Sequence, residues 1–313
     1  MTDLLVKGVR FALYADLMLL TGLAAFPLYA FARDDRPHPA IAAILARPLR
    51  GLCATALLLS AAGFVMLTAN MHGVTPVAID AAMLRTMIGE TDVGAAWIAG
   101  MIALAVALWA SRRPGTGSVP AFATVAAAGA VALATLAWSG HAGAGEGLPG
   151  TLHRASDAAH MIAAAAWLGA IMAFLLLLRP QHAIATPALP ALAARSLDRF
   201  AAAGTVCVLV LTATGMINAQ LIFGIGHSAA LIATPYGQLL LVKLLLFGAM
   251  LMLAAANRWR LTPALAASLA DGDPRTAIGA IRRSLAIEAA AGLAILALVA
   301  WLGTLDPSLP APA

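Results

Sequence analysis

The sequence predicts an all-α fold, a polytopic membrane helix bundle of about eight transmembrane helices, and three observations lead there. Hydrophobic residues fill 62% of the 313 positions and charged residues only 11%. Soluble domains carry about a quarter charged residues. The mean hydropathy is +0.91. Apolar runs of about 20 residues, the length that crosses a bilayer, recur at 11–32, 50–71, 94–111, 118–138, 155–178, 200–223, 236–256 and 284–304. Little sequence is left over, so residues 1–313 read as a single transmembrane bundle domain with no separate soluble domain.

The first run follows Lys7 and Arg10 and ends at Ala30-Phe31-Ala32, which has the form of a signal-peptidase site. Its length exceeds the roughly 7–15 residues of a signal core, so the span is expected to be retained. Proline and arginine mark the next boundaries, at Arg33 to Pro48, Ser111 to Pro120, Arg179 to Leu197 and Arg258 to Arg282. These read as helix-stopping loops. The alanine-rich runs at 121–137 and 286–300 let helices approach closely. Cys53 and Cys207 both fall in predicted spans and read as small buried hydrophobes rather than a disulfide framework. No internal repeat and no phosphate-binding loop is found, and the chain is expected not to be an enzyme.

The formal charge of +5 does not point to nucleic acid, because the basic residues lie in short loops where they orient a membrane chain. If alternate loops face the cytoplasm, that side holds fourteen of the nineteen lysines and arginines, and the other side only Lys7, Arg10, Arg85 and Arg154. Both termini are then expected in the periplasm. Histidine took no part in setting this topology. Yet five of the seven histidines, His72, His141, His153, His160 and His227, fall on or near the outer side.

The densest chemistry lies between Trp138 and Gly169. On a helix advancing 100° per residue, His153, Asp157, His160, Ala164 and Trp167 fall within about 80° of one another. Ionisable side chains in hydrocarbon cost roughly 2.5–3.5 kcal/mol even on lenient scales, so such a stripe must face the bundle interior or water. Imidazoles ligate copper, zinc, iron and nickel, and a carboxylate can ligate or orient a ligating ring. His141, on the glycine-rich loop before this helix, can supply a third imidazole. Met71-His72 closes the second span on the same side, pairing a thioether with an imidazole in a way that favours Cu(I). Met66, Met161 and Met216 are weaker candidates. A plainer reading stays open, in which His153 and Asp157 sit at the headgroup interface and His160 satisfies a neighbouring helix.

Lys243 lies about 10 Å into its span, at a depth comparable to Asp157, so the two can pair; alternatively Lys243 snorkels outward. Glu288 is expected to pair with Arg282 or Arg283. Asn218 either lines a pathway or packs helices.

Several segments together resemble the CopD copper-resistance family of bacterial inner-membrane proteins. They are Ser139-Gly140-His141-Ala142, Asp157-x-x-His160 followed by Trp167-Leu168-Gly169, and Arg199-Phe200 leading to Thr214-Gly215-x-x-Asn218. Further on come Tyr236-Gly237-x-Leu239-Leu240-x-x-Lys243, Asn257-Arg258 with Pro263, Arg283 to Glu288, and Leu302-Gly303-Thr304-Leu305-x-Pro307. The resemblance covers the chain from about residue 60 onward. It implies a multi-pass protein of the bacterial cell inner membrane that handles copper ion, moving it from periplasm to cytoplasm beside a periplasmic copper-binding protein. It makes His141, Asp157, His160, Lys243 and Met71 the family-like residues. Two rivals remain: a haem-binding transmembrane electron carrier, and a copper-holding or assembly subunit that transports nothing.

Overall fold

Long apolar helices follow one another in the computed structural model, which describes residues 2–36, 38–112, 118–140, 143, 145–181, 188–224, 226 and 234–305. They are α1 (Thr2–Ala30), α2 (Pro39–His72), α3 (Ala81–Glu90), α4 (Asp92–Ala110), α5 (Val119–Thr135), α6 (Gly147–Leu177), α7 (Ala188–Ile222), α8 (Pro235–Ala256), α9 (Thr262–Ala270) and α10 (Arg275–Leu302). A π-helical turn, Asn257–Leu261, joins α8 to α9. No strand occurs among the described residues. Eight helical segments are long and apolar enough to cross a membrane.

The helix starts are written in local chemistry. Pro39 and Pro235 stand in the first helical turn, where a missing N–H is harmless. Side chains of Asp80, Thr91, Ser118 and Thr234 accept hydrogen bonds from the first free backbone N–H groups of α3, α4, α5 and α8, which satisfies orphan donors. Gly73 ends α2 at φ 65°, a left-handed conformation that glycine adopts without strain.

Three expectations about boundaries need correction. The segments 33–48, 179–197 and 258–282 are not simple loops: α2 begins at Pro39 and runs through Pro48, α7 begins at Ala188, and most of 258–282 is helical through the π turn, α9 and α10. Proline starts a helix as readily as it stops one, and at about 1.5 Å per residue α2 and α7 reach roughly 50 Å, beyond the about 30 Å of hydrocarbon. Their first turns are amphipathic, with Ile41, Leu45, Leu189 and Leu192 in the core and Arg47, Arg50, Arg195 and Asp198 exposed, so the charged residues read as loop in the sequence. The short helix α3, lying between the second and third spans, was not expected at all.

α1 and α6 form the axis. In each, 67% of the most apolar window is buried, against 6% in the span that contains α8, so α8 faces lipid and the other two face protein. α1 packs most extensively on α6 and α5, and also touches α2, α7 and α10. The close approach depends on two glycines. A methyl group on Gly169 would lie 2.2 Å from the carbonyl carbon of Gly22, and one on Gly22 would lie 1.9 Å from the Ala165 carbonyl oxygen. Small residues are what bring membrane helices into this contact, since lipid provides no hydrophobic drive between them. Farther along, the Tyr29 hydroxyl donates to the Ala166 carbonyl at 2.7 Å, and Phe26 meets Phe31 and Phe174 edge to face.

Gly169→Ala should therefore destabilise the bundle by about 1–3 kcal/mol, the usual cost of overpacking, seen as a lower Tm of detergent-solubilised protein. Gly51→Ala, whose methyl group would meet nothing within 4 Å, should leave Tm unchanged; equal Tm values for the two variants would show that the α1–α6 contact is not tight.

Candidate functional site

Nine residues separate His160 from Gly169, or about 180° around a helix of 3.6 residues per turn. The face of α6 that is glued to α1 is thus opposite the face that carries its polar stripe. That stripe meets α7, which runs antiparallel to it. Asn218 Nδ2 donates to Asp157 Oδ1 at 3.3 Å, His160 Nδ1 lies 2.9 Å from Thr214 Oγ1, and Ser156 Oγ donates to the Thr214 carbonyl at 3.3 Å. Thr214 and Asn218 are one turn apart on α7, as Asp157 and His160 are on α6, so two matched rungs form.

The Thr214 hydroxyl fixes the chemistry of the ring beside it. Its proton goes to the Val210 carbonyl, 2.6 Å away on its own helix, so toward His160 the oxygen acts as an acceptor. With Nδ1 donating to it, Nε2 is the ring nitrogen left to accept, and the ring also hydrogen-bonds the Leu211 carbonyl. A ring nitrogen anchored in this manner leaves the other ready to ligate a metal.

Lys243 enters from α8. It is half-buried on a helix whose neighbours Leu244 and Leu245 are 55% and 66% exposed, and its ammonium interacts electrostatically with both Asp157 and His160. One turn on, Phe247 meets the edge of Trp167 at 6.0 Å between ring centres. Trp167 is 4% exposed and His153 is 9% exposed. The stripe is thus buried at His153 and Trp167 and half-buried between them at Asp157 and His160.

The remaining sequence candidates lie elsewhere. Met71 and His72 end α2, both exposed, and the His72 ring bonds back to the Thr68 carbonyl at 3.0 Å. α2 touches α6 only slightly. His141, His227 and Pro307 lie outside the described residues. Among the described residues, no three histidine, cysteine, aspartate or glutamate side chains gather closely enough to hold a metal ion. Cys53 and Cys207 are both free and buried. A cavity of about 850 Å³ opens between α1, α2, α4, α5 and the end of α10, lined by residues such as Arg10, Met66, Asn70 and Trp97. Among the described residues its lining has no histidine, cysteine or acid.

Glu288 differs from expectation. Its carboxylate accepts a hydrogen bond from Asn257 Nδ2, while Arg282 donates to the Leu175 carbonyl at 2.9 Å. Arginines five and six residues back on the same helix point to other faces, since only residues three and four apart are neighbours. Sequence reasoning also passed over Asp16, a lone acid in the first span. It is 8% exposed and accepts a hydrogen bond from Thr55 on α2. Its signal was present, because an acid within an apolar run is rarely idle.

An α-helical multi-pass membrane protein with a half-buried histidine–carboxylate–ammonium cluster between its helices is the class that fold and site define. The chain belongs to the copper resistance protein D family. Residues 1–151 match the copper resistance protein D-like N-terminal domain and residues 194–302 match copper resistance protein D. Copper resistance protein D of Pseudomonas syringae pv. tomato is 39% identical over 317 residues, covering 99% of each chain. The inner membrane protein YebZ of Escherichia coli (strain K12) is 33% identical over 115 residues, 37% of each chain. No solved structure matches significantly. The match thus extends through α1 and α2, beyond the resemblance visible from residue 60 onward.

Removing one member of a half-buried pair of opposite charges leaves the other poorly compensated in an apolar setting. Lys243→Met and Asp157→Leu should each lower Tm sharply, and the double variant should be more stable than either alone. Additive losses in that double-mutant cycle would mean that the two charges do not interact.

Proposed function

We propose that this copper-resistance membrane protein binds copper ion at its periplasmic face and carries it across the bacterial inner membrane to the cytoplasm through its transmembrane bundle. The observation that carries this reading is the His160 ring, anchored to Thr214 through Nδ1, next to a carboxylate that interacts electrostatically with Lys243. Copper is the cargo, and the donors suit it: imidazoles from His153, His160 and His141, and a thioether from Met71.

Met71 and His72, exposed at the end of α2, take copper from a periplasmic copper-binding protein. The ion then reaches the α6–α7 rungs, where it competes with Lys243 for Asp157. The pair keeps the empty site neutral in a low-dielectric setting, and the arriving cation takes over the ammonium's role. Asn218 holds the carboxylate in place during the exchange. A membrane potential of 100 mV, negative inside, favours entry of one positive charge by about 2.3 kcal/mol, so no nucleotide is required. Both termini face the periplasm in this arrangement, as the distribution of basic residues asks.

Metal analysis of purified protein tests the reading. His160→Ala and His141→Ala should each lower bound copper, and Thr214→Val should weaken affinity about 10–100-fold, the usual effect of losing a partner that orients a ligand. Unchanged stoichiometry in both histidine variants would refute the ligand set. Copper entry into sealed vesicles should follow the applied potential in the wild type. Binding without entry would make the protein a membrane copper holder rather than a conduit.

A further inference from the structure

A second polar site lies farther along α6, α7 and α8, where α10 joins them. A cavity of about 210 Å³ sits between α6, α7, α8, the π-helical turn and α10, and its lining includes Trp167, Phe200, Thr205, Asn257, Arg258 and Glu288. Trp167 is two turns along α6 from His160, on the same face, so this chamber continues the line of the histidine stripe. Glu288 is 1% exposed and Asn257 8%. The Asn257 amide donates to the Glu288 carboxylate, while Asn257 Oδ1 is buried without a hydrogen-bond partner. The backbone is also unusual here. Asn257 opens a π-helical turn, a rare conformation that recurs at functional sites.

A carboxylate with one donor and an amide oxygen with none are two acceptors short of a proton or cation, and leaving such groups unmet in an apolar interior is costly. The donor set is oxygen only: carboxylate, amide and the Thr205 hydroxyl. Copper prefers nitrogen and sulphur, and calcium or magnesium needs about six oxygens or more. A proton needs one.

We propose that Glu288 is a proton-exchanging group on the copper path, protonated and neutral while the bundle rests and ionised while the cation crosses. The O–H bond breaks, the proton passes to water at the Arg258 end, and the electron pair stays on the carboxylate as counter-charge. The reverse step restores the resting state. Other charges are placed to leave Glu288 this role. Arg258 faces the cavity from the π turn with its guanidinium on Thr205 Oγ1 at 3.3 Å, and Arg282 is committed to the Leu175 carbonyl. Arg283 shares α10 with Glu288, and Lys243 on α8 is about 21 Å from Asn257 along the helix. α7 carries Cys207 and α1 carries Tyr29, the latter bonded to the Ala166 carbonyl. α9 and the half of α6 beyond His160 carry no titratable side chain.

This inference rests on copper passage for its purpose but is read out independently of it. Infrared difference spectra between acid and alkaline pH should contain, among the protonated-carboxyl stretches of the wild type, a component that Glu288→Gln lacks and that Asp16→Asn and Asp157→Asn keep. The same band in Glu288→Gln would overturn the assignment whether or not copper moves. In vesicles at symmetric pH, copper entry in the wild type should rise about tenfold per unit while the carboxyl ionises, and Glu288→Gln should lose that step. A step retained in Glu288→Gln, or one set by sodium or potassium rather than by pH, would overturn it too. A wild type that admits no copper at any pH would contradict the transport reading instead, with the infrared band still deciding the protonation of Glu288.

Discussion

Everything in this bundle turns on the need of an ionisable side chain inside hydrocarbon for a partner on another helix. Three carboxylates lie well within spans, and each has one: Asp16 takes Thr55 from α2, Asp157 takes Asn218 from α7, and Glu288 takes Asn257 from the π turn. Such pairings are specific because water cannot substitute for them. They fix which faces of α1, α6 and α10 point inward more firmly than apolar packing can, since lipid tails are as apolar as leucine.

The backbone contact between α1 and α6 serves that same constraint. Gly22 and Gly169 bring the two helices to near-touching distance and so fix the rotation of α6 about its axis. With Gly169 against α1, His160 is turned toward α7 and Trp167 toward α8. One helix thus carries adhesive small residues on one face and chemistry on the other. The lipid-facing α8 contributes its charge inward, where Lys243 meets the acid and the imidazole of the stripe.

Much of this was legible in the chain. The eight spans follow from apolar run length, and the α6 stripe follows from 100° periodicity, because both depend on local sequence alone. The helix ends were not legible, since α2 and α7 begin with amphipathic turns whose exposed arginines look like loop while Ile41, Leu45, Leu189 and Leu192 pack into the core. The partners were legible only in part. Asn218 stood out as an amide in a span, but Thr214 did not, as threonine is common in membrane helices and its role comes from the antiparallel register with α6. Glu288 invited pairing with basic neighbours in sequence, whereas its actual partner is 31 residues away. Whether His141 approaches the stripe depends on a loop outside the described residues, where sequence periodicity says nothing.

The most direct measurement of the copper site is X-ray absorption at the copper edge on the loaded protein, wild type against His160→Ala. The wild type should show nitrogen in the first shell with the outer-shell scattering of imidazole, and the variant should lose part of that signal while retaining its fold. An oxygen-only or sulphur-only shell in the wild type, or identical spectra for the two proteins, would contradict the placement of copper on the α6 stripe.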